Sequence, residues 1–188
     1  MERARKDAEN GRRPSSGRGI WGFVIYLLVV AGLAFLIVTF VMQKTVVSGN
    51  SMFPTLENGN HLMIEKVSYY MGGPERFDII VFRIPGEGKT YYIKRVIGLP
   101  GETVQITDGV IYINGEILEE DYGNEVMQYS GLASEPLTLG DDEYFVLGDN
   151  RNDSTDSRFA SVGPVNSDQI LGHAFLRVWP FSELTWLA

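Results

Sequence analysis

Thr103-Val104-Gln105-Ile106-Thr107-Asp108-Gly109-Val110-Ile111-Tyr112-Ile113-Asn114-Gly115 decides the fold class. Two short apolar or alternating runs, Thr103–Ile106 and Val110–Ile113, are the length of strands rather than helices. Asp-Gly and Asn-Gly are the pairs that two-residue hairpin turns favour, and here one stands on each side of Val110–Ile113. A strand bracketed by two tight turns pairs antiparallel with its neighbours. The pattern spreads outward from there. His61–Val67, Asp78–Ile84, Tyr91–Ile97, Glu143–Leu147 and Ala174–Val178 are strand candidates, and Pro85-Gly86 and Pro100-Gly101 punctuate the joins. No segment after Gln43 keeps a helical period, and no repeat of fixed length is visible. The expected fold class is mainly β: an antiparallel β-domain behind one N-terminal transmembrane helix.

That helix is read from Ile20 to Met42, a run without one charged side chain. At ~1.5 Å per residue it makes roughly 35 Å of helix, enough for a ~30 Å hydrocarbon core with some tilt. Trp21 and Tyr26 sit toward its N-terminal end, where amphipathic aromatics favour the interface. A buried core helix rarely stays free of charge for this length. A cleaved secretory signal has an apolar core of ~7–15 residues, shorter than this one. Residues 1–19 carry six Arg and Lys against three acids, so the rest of the chain holds −11 of a net −8. Positive flanks stay cytoplasmic. The expected organisation is a disordered basic cytoplasmic tail over 1–19, a transmembrane helix over 20–42 and an extracytoplasmic β-rich domain over 43–188. One such run excludes a polytopic channel or transporter. An acidic body is no nucleic-acid binder.

The chain has no cysteine and two histidines among its 188 residues. Disulfides, thiolate metal sites and cysteine nucleophiles are excluded, and a histidine-rich metal site has too few ligands. His61 and His173 each lie in strand-like apolar company rather than in a Gly/Ser/Asp loop.

Three segments concentrate chemistry-bearing residues. Ser48-Gly49-Asn50-Ser51-Met52-Phe53-Pro54-Thr55-Leu56 is a loop whose Gly and Pro favour a fixed backbone and an oriented serine; read alone it is equally a plain turn. Tyr92-Ile93-Lys94-Arg95-Val96-Ile97 is a strand carrying two cations. Alternation puts Lys94 and Arg95 on opposite faces, so one of them should point into partly desolvated surroundings. A lysine with its pKa lowered to ~7–8 by burial serves as a general base; the other reading is a snorkelling lysine on a strand edge. Gly148-Asp149-Asn150-Arg151-Asn152-Asp153-Ser154-Thr155-Asp156-Ser157-Arg158 is dense in turn residues and hydroxyls, which suits a loop braced by its own hydrogen bonds and an Asp156–Arg158 pair. It fails the EF-hand calcium pattern, whose sixth position here would be Ser154 rather than Gly.

Together and in this order, the three segments resemble the boxes of the bacterial type I signal peptidases. A short chain with one anchor is most similar to the Gram-positive-type members. The resemblance implies a Ser-Lys dyad with Ser51 as nucleophile and Lys94 as general base. It implies that Ser154 hydrogen-bonds the lysine amine, and that Asp156 and Arg158, with Arg95 near them, form a structural ion-pair group. Val47, Met52, Leu56, Tyr92 and Ile93 match positions lining shallow apolar substrate pockets. The implied reaction removes signal peptides from exported preproteins, cleaving after small residues, at the surface of a lipid bilayer. No metal or organic cofactor is indicated. Gly49 departs from members with a serine at that position, whose hydroxyl assists the oxyanion; the Ser51 backbone N–H remains as donor. Phe53, Trp179, Phe181 and Trp186 are candidates either for the membrane interface or for ordinary core packing. Two other classes share these features in part. A catalytically inactive membrane-anchored binding protein on the same fold is opposed by the intact Ser51 and Lys94. A self-cleaving Ser-Lys protease lacks the anchor.

Overall fold

The computed structural model describes the backbone of residues 16–66, 69, 72–86, 88 and 90–187, with side chains at all of these except 16–19 and 36–41. The chain divides into two units, 1–40 and 41–188. The first holds one helix, α1 (Ser16–Val41), which starts ahead of the predicted span and stops where Met42 enters a strand. The side chains described on it, at 20–35, are all exposed. They cover about 24 Å of helix, and among the described residues no helix is long and apolar enough to cross a membrane. Of the predicted tail, residues 1–15 lie outside the described residues.

The second unit is β throughout, apart from short 3₁₀ turns. Its strands are β1 (Met42–Val46), β2 (His61–Glu65), β3 (Ile79–Phe82), β4 (Tyr92–Gly98), β5 (Thr103–Thr107), β6 (Val110–Ile113), β7 (Glu116–Ile117), β8 (Leu137–Thr138), β9 (Glu143–Leu147), β10 (Val165–Asn166), β11 (Ile170–Trp179) and β12 (Thr185–Trp186). An eight-stranded sheet runs β1-β2-β11-β3-β4-β9-β10, with β12 also on β11, and a four-stranded sheet runs β7-β6-β5-β8. Every pairing described is antiparallel.

The hairpins form as their dipeptides predict. Thr107 opposes Val110 and Ile113 opposes Glu116, leaving two-residue loops whose residues all have positive φ: Asp108 52°, Gly109 79°, Asn114 54° and Gly115 86°. Those are the conformations of a type I′ turn, which matches the twist of the flanking strands. The seven predicted strands are all present, with ends shifted by a few residues; Val67, at one predicted end, lies outside the described residues. The chief addition is β1. Its Gln43, Lys44 and Val46 are exposed, so it carries no alternating apolar signal.

Three apolar clusters hold the sheets together. Ile97, Val104, Ile106, Ile111, Ile113, Phe145 and Leu147 belong to one that joins the small sheet to β4 and β9. Ile80, Phe82, Val96, Tyr144 and Val146 form another. The third gathers Leu62, Ile64, Ile79, Val81 and Ala174 from the large sheet with Val47, Met52 and Leu56 from the loop after β1. Since β3 sends Ile79 and Val81 one way and Ile80 and Phe82 the other, it is buried on both faces. The sheet bends through irregular register in β11 against both β2 and β3. At Gly172 a Cβ would lie 2.2 Å from the Glu65 carbonyl oxygen, so only glycine lets β11 pass this close to β2. Because the obstacle is backbone, Gly172→Ala is expected to cost about 2–3 kcal/mol of stability, read by chemical denaturation.

Candidate active site

The loop carrying Ser51 is fixed by what lies under it. Val47, Met52 and Leu56 are buried in the third cluster, and the Leu56 N–H donates to the Met52 carbonyl at 2.8 Å. Gly49 has φ +98°, and its N–H donates to Asn58 Oδ1 at 3.1 Å. The Phe53 N–H donates to the Asn50 carbonyl at 3.0 Å. With the alternate residues Met52 and Leu56 plugged into the core, Ser51 is turned to the surface of the loop.

Lys94 comes from β4, opposite Ile80 on β3. Its side chain is only 3% exposed, and Nζ donates to Ser51 Oγ at 2.8 Å and to the Ile93 carbonyl at 3.0 Å. Burial pushes the amine down from 10.5 to about 8, against the opposing pull of Asp156 and Asp149. Alternation predicts that one of Lys94 and Arg95 is desolvated; both are, because β4 is covered on each face here.

Arg95, expected only as a neighbour of Asp156 and Arg158, pairs with Asp149. Its Nε and Nη2 donate to Asp149 at 2.9 and 2.8 Å, Nη1 donates to the Phe77 carbonyl, and the guanidinium lies 3.7 Å from the Tyr122 ring centre. Arg158 pairs separately with Asp156, through two bonds of 2.8 Å. The expected single group of Arg95, Asp156 and Arg158 is thus two buried bidentate pairs, and Asp149 is the residue sequence reasoning missed. Its turn-forming neighbours made it look like a loop residue. Only the distant pairing of β4 with β9 brings it to Arg95. Arg151 adds a third fork onto Glu120 at 2.7 and 2.8 Å.

These pairs fold 148–158 against the serine loop. The Asp156 carboxylate accepts the Gly148 N–H at 3.0 Å. A Cβ on Gly148 would stand 2.3 Å from Ser154 Oγ and 2.4 Å from the Ser51 carbonyl oxygen, so the two loops touch only because glycine is there. Ser154 is brought to this contact, but its Oγ is buried with no hydrogen-bond partner among the described residues, and the expected bond to the Lys94 amine is not made.

A groove of about 680 Å³ opens over Ser51 and Lys94. Of the residues singled out in the sequence for a substrate pocket, Val47, Met52, Tyr92 and Ile93 line it, and Leu56 does not, because it is fully buried beneath the loop. Asp153 and Thr155 line it as well, without having been singled out in the sequence. One wall is the end of β1 and the other is Tyr91–Lys94. Strand β9 meets β4 only from Arg95 onward. Phe53, Trp179, Phe181 and Trp186 are exposed, which settles their choice against core packing.

A serine hydroxyl held against a desolvated amine, at the floor of a groove edged by strands, is the constellation of a serine peptidase. The family described as signal peptidase, peptidase S26, matches residues 20–179. A probable signal peptidase I-1 of Synechocystis sp. is 39% identical over 93% of this chain and 90% of its own. Signal peptidase I of Bacillus caldolyticus is 39% identical over 88% and 93%. A crystal structure of a signal peptidase I from Enterococcus faecalis V583 is 42% identical, covers 53% of this chain and 95% of its own, and superposes with a TM-score of 0.45. The chain belongs to the signal peptidase family, peptidase S26. Its reaction is the hydrolytic removal of signal peptides by a serine peptidase.

Lys94 also bears on stability. Its folded pKa lies below its unfolded one, so this group opposes folding fully below about pH 8, and the penalty fades as pH rises toward 10.5. At 1.36 kcal/mol per pH decade the interval is worth about 3 kcal/mol. Lys94→Met is expected to be more stable than the parent at pH 7 by up to that amount, with the gain closing by pH 10.5, measured by denaturant titration at both pH values.

Proposed function

We propose that Ser51 is the nucleophile and Lys94 the general base of this signal peptidase. The observation that carries the reading is the 2.8 Å hydrogen bond between a buried, readily deprotonated amine and Ser51 Oγ. The neutral amine takes the Ser51 proton as Oγ attacks the scissile carbonyl. The resulting ammonium returns a proton to the leaving amine when the peptide C–N bond breaks. Water, deprotonated by the same amine, then releases the acyl group from Ser51. The developing oxyanion is met by the Ser51 N–H, which makes no hydrogen bond among the described residues. Gly49 offers no hydroxyl for this task.

The substrate is an exported preprotein, laid as an extended strand between the end of β1 and Tyr91–Lys94. Val47, Met52, Tyr92 and Ile93 leave shallow apolar room, which favours small residues before the cleaved bond. The paired acids and arginines, Asp156 with Arg158 and Asp149 with Arg95, brace the loop that carries Ser154.

The chain is anchored by residues 20–42 in a bacterial membrane, with the basic tail of 1–19 cytoplasmic and the catalytic domain of 43–188 outside. Support comes from the charge-free run, from the tail's surplus of three positive charges and from the exposed apolar side chains of α1. Trp179, Phe181 and Trp186 give the catalytic domain amphipathic surface of its own for the lipid interface.

With full-length enzyme in detergent and a preprotein substrate, Ser51→Ala and Lys94→Ala are each expected to lower cleavage by about 10⁴-fold or more while remaining folded. Comparable cleavage by either variant overturns the dyad. For the parent, log kcat/KM is expected to fall by one decade per pH unit below about pH 8, because Lys94 becomes protonated there. A profile level from pH 5 to 8 contradicts a lysine base.

A further inference from the structure

Asn150 touches the serine loop twice. Its backbone N–H donates to the Ser51 carbonyl at 3.0 Å, and its side-chain Nδ2 donates to the Asn50 carbonyl at 3.2 Å. These are the carbonyls on either side of the nucleophile's Cα. The second bond matters more for the chemistry. The Asn50 carbonyl and the Ser51 N–H belong to one peptide unit, and that unit is trans, since the cis bonds described are at Pro54 and Pro180. In a trans peptide the C=O and the N–H point in opposite directions within one rigid plane. Whatever holds the Asn50 oxygen therefore aims the Ser51 hydrogen.

Two donors hold that oxygen, from opposite parts of the chain. The Phe53 N–H donates within the serine loop at 3.0 Å, and Asn150 donates across from the loop after β9. One local bond leaves the peptide plane free to rock about its own turn. A second bond from a separate, braced loop removes that freedom. Hydrogen bonds to a carbonyl also polarise the N–H of the same unit and make it a stronger donor. Asn150 is itself anchored on each side: Asp149 by Arg95, Arg151 by Glu120, and its own carbonyl by the Asp153 N–H at 3.0 Å.

We propose that Asn150 is a positioning residue for the oxyanion site: through the Asn50–Ser51 peptide it aims and polarises the one backbone donor left by Gly49. The inference rests on the reading of Ser51 as nucleophile. It also gives a purpose to the two arginine forks that flank it, Arg95 on Asp149 and Arg151 on Glu120, which hold Asn150 in place rather than merely stabilising a loop. Such a residue acts where negative charge develops on the substrate oxygen. It does not act on ground-state binding or on the base.

The test is Asn150→Ala, which removes Nδ2 and keeps the backbone bond, beside Asn150→Asp, which replaces the donor with an oxygen facing a carbonyl. In the full-length enzyme, Asn150→Ala is expected to lower kcat by about ten- to fiftyfold, short of the 10²–10³ for losing an oxyanion donor outright, and Asn150→Asp by more. In Asn150→Ala, which adds no charge, KM should stay within about twofold, the acid limb near pH 8 should not move, and the melting temperature should hold. A peptide aldehyde ending in alaninal, whose adduct with Ser51 carries the oxyanion, should lose affinity in proportion to kcat, and the matching peptide alcohol should not. Unchanged kcat, a displaced acid limb, or equal losses for aldehyde and alcohol each overturn the proposal. Cleavage surviving Ser51→Ala instead overturns the nucleophile assignment beneath it.

Discussion

The contact on which the site depends is an amine kept out of water and against a hydroxyl. An ammonium in a buried place calls for a counter-charge, and two carboxylates stand near enough to Lys94 to pull its pKa upward, Asp156 and Asp149. Either one, left unpaired, would pull that pKa further upward. The fold gives each a bidentate arginine instead, Arg158 and Arg95. The desolvation of Lys94 then outweighs what remains of their pull. Buried ion pairs are weak evidence for stability, because desolvating two charges offsets most of their attraction. Here their positions suggest a second consequence, that they keep acidic groups from capturing the base.

The same pairs carry mechanical load. Asp156 accepts the Gly148 amide, and Asp149 sits beside Asn150, so both forks are attached to backbone that touches the serine loop. From below, Met52 and Leu56 pin that loop to the large sheet's core. Ser51 is thus held by apolar packing beneath, by β4 through Lys94 and by the loop after β9 through its two flanking carbonyls. Each restraint comes from a segment distant in sequence, which is how one hydroxyl on a turn acquires a fixed direction.

Much of this was legible in the chain and some was not, for reasons that follow the range of the interactions. The hairpins around Val110–Ile113 could be read because positive φ at Asp108, Gly109, Asn114 and Gly115 is a local demand with a local sequence answer. The strands could be read wherever one face is buried and the other is not. Strand β1 could not, since an edge strand with exposed Gln43 and Lys44 shows no alternation. The proximity of Ser51 and Lys94 came from resemblance, because nothing in their spacing brings them together. The pairing of Arg95 with Asp149 is not legible because three aspartates, Asp149, Asp153 and Asp156, share one short loop, and only the register of β4 on β9 chooses among them. Leu56 is expected in the groove only through the resemblance, which carries no information on how this loop turns. One further turn of the loop carries it under the surface.

The two histidines bear on the role proposed for the lysine. His61 stands against Trp179, and His173 lies between Glu65 and Asp78, its Nδ1 and Nε2 4.0 and 3.7 Å from their carboxylates. Neither lines the groove over Ser51. An imidazole needs no burial to titrate near neutrality, whereas an amine becomes a base there only when packing keeps water away. The proposed base therefore depends on the packing of the cluster of Ile80, Phe82 and Val96, since Lys94 lies opposite Ile80 and on the same face of β4 as Val96. A packing defect at Ile80, Phe82 or Val96 that admits water beside Nζ would raise the lysine's pKa and, with Lys94 as the proposed base, lower activity before the sheet came apart. Under that proposal activity is more fragile than the fold, because a lysine base needs burial.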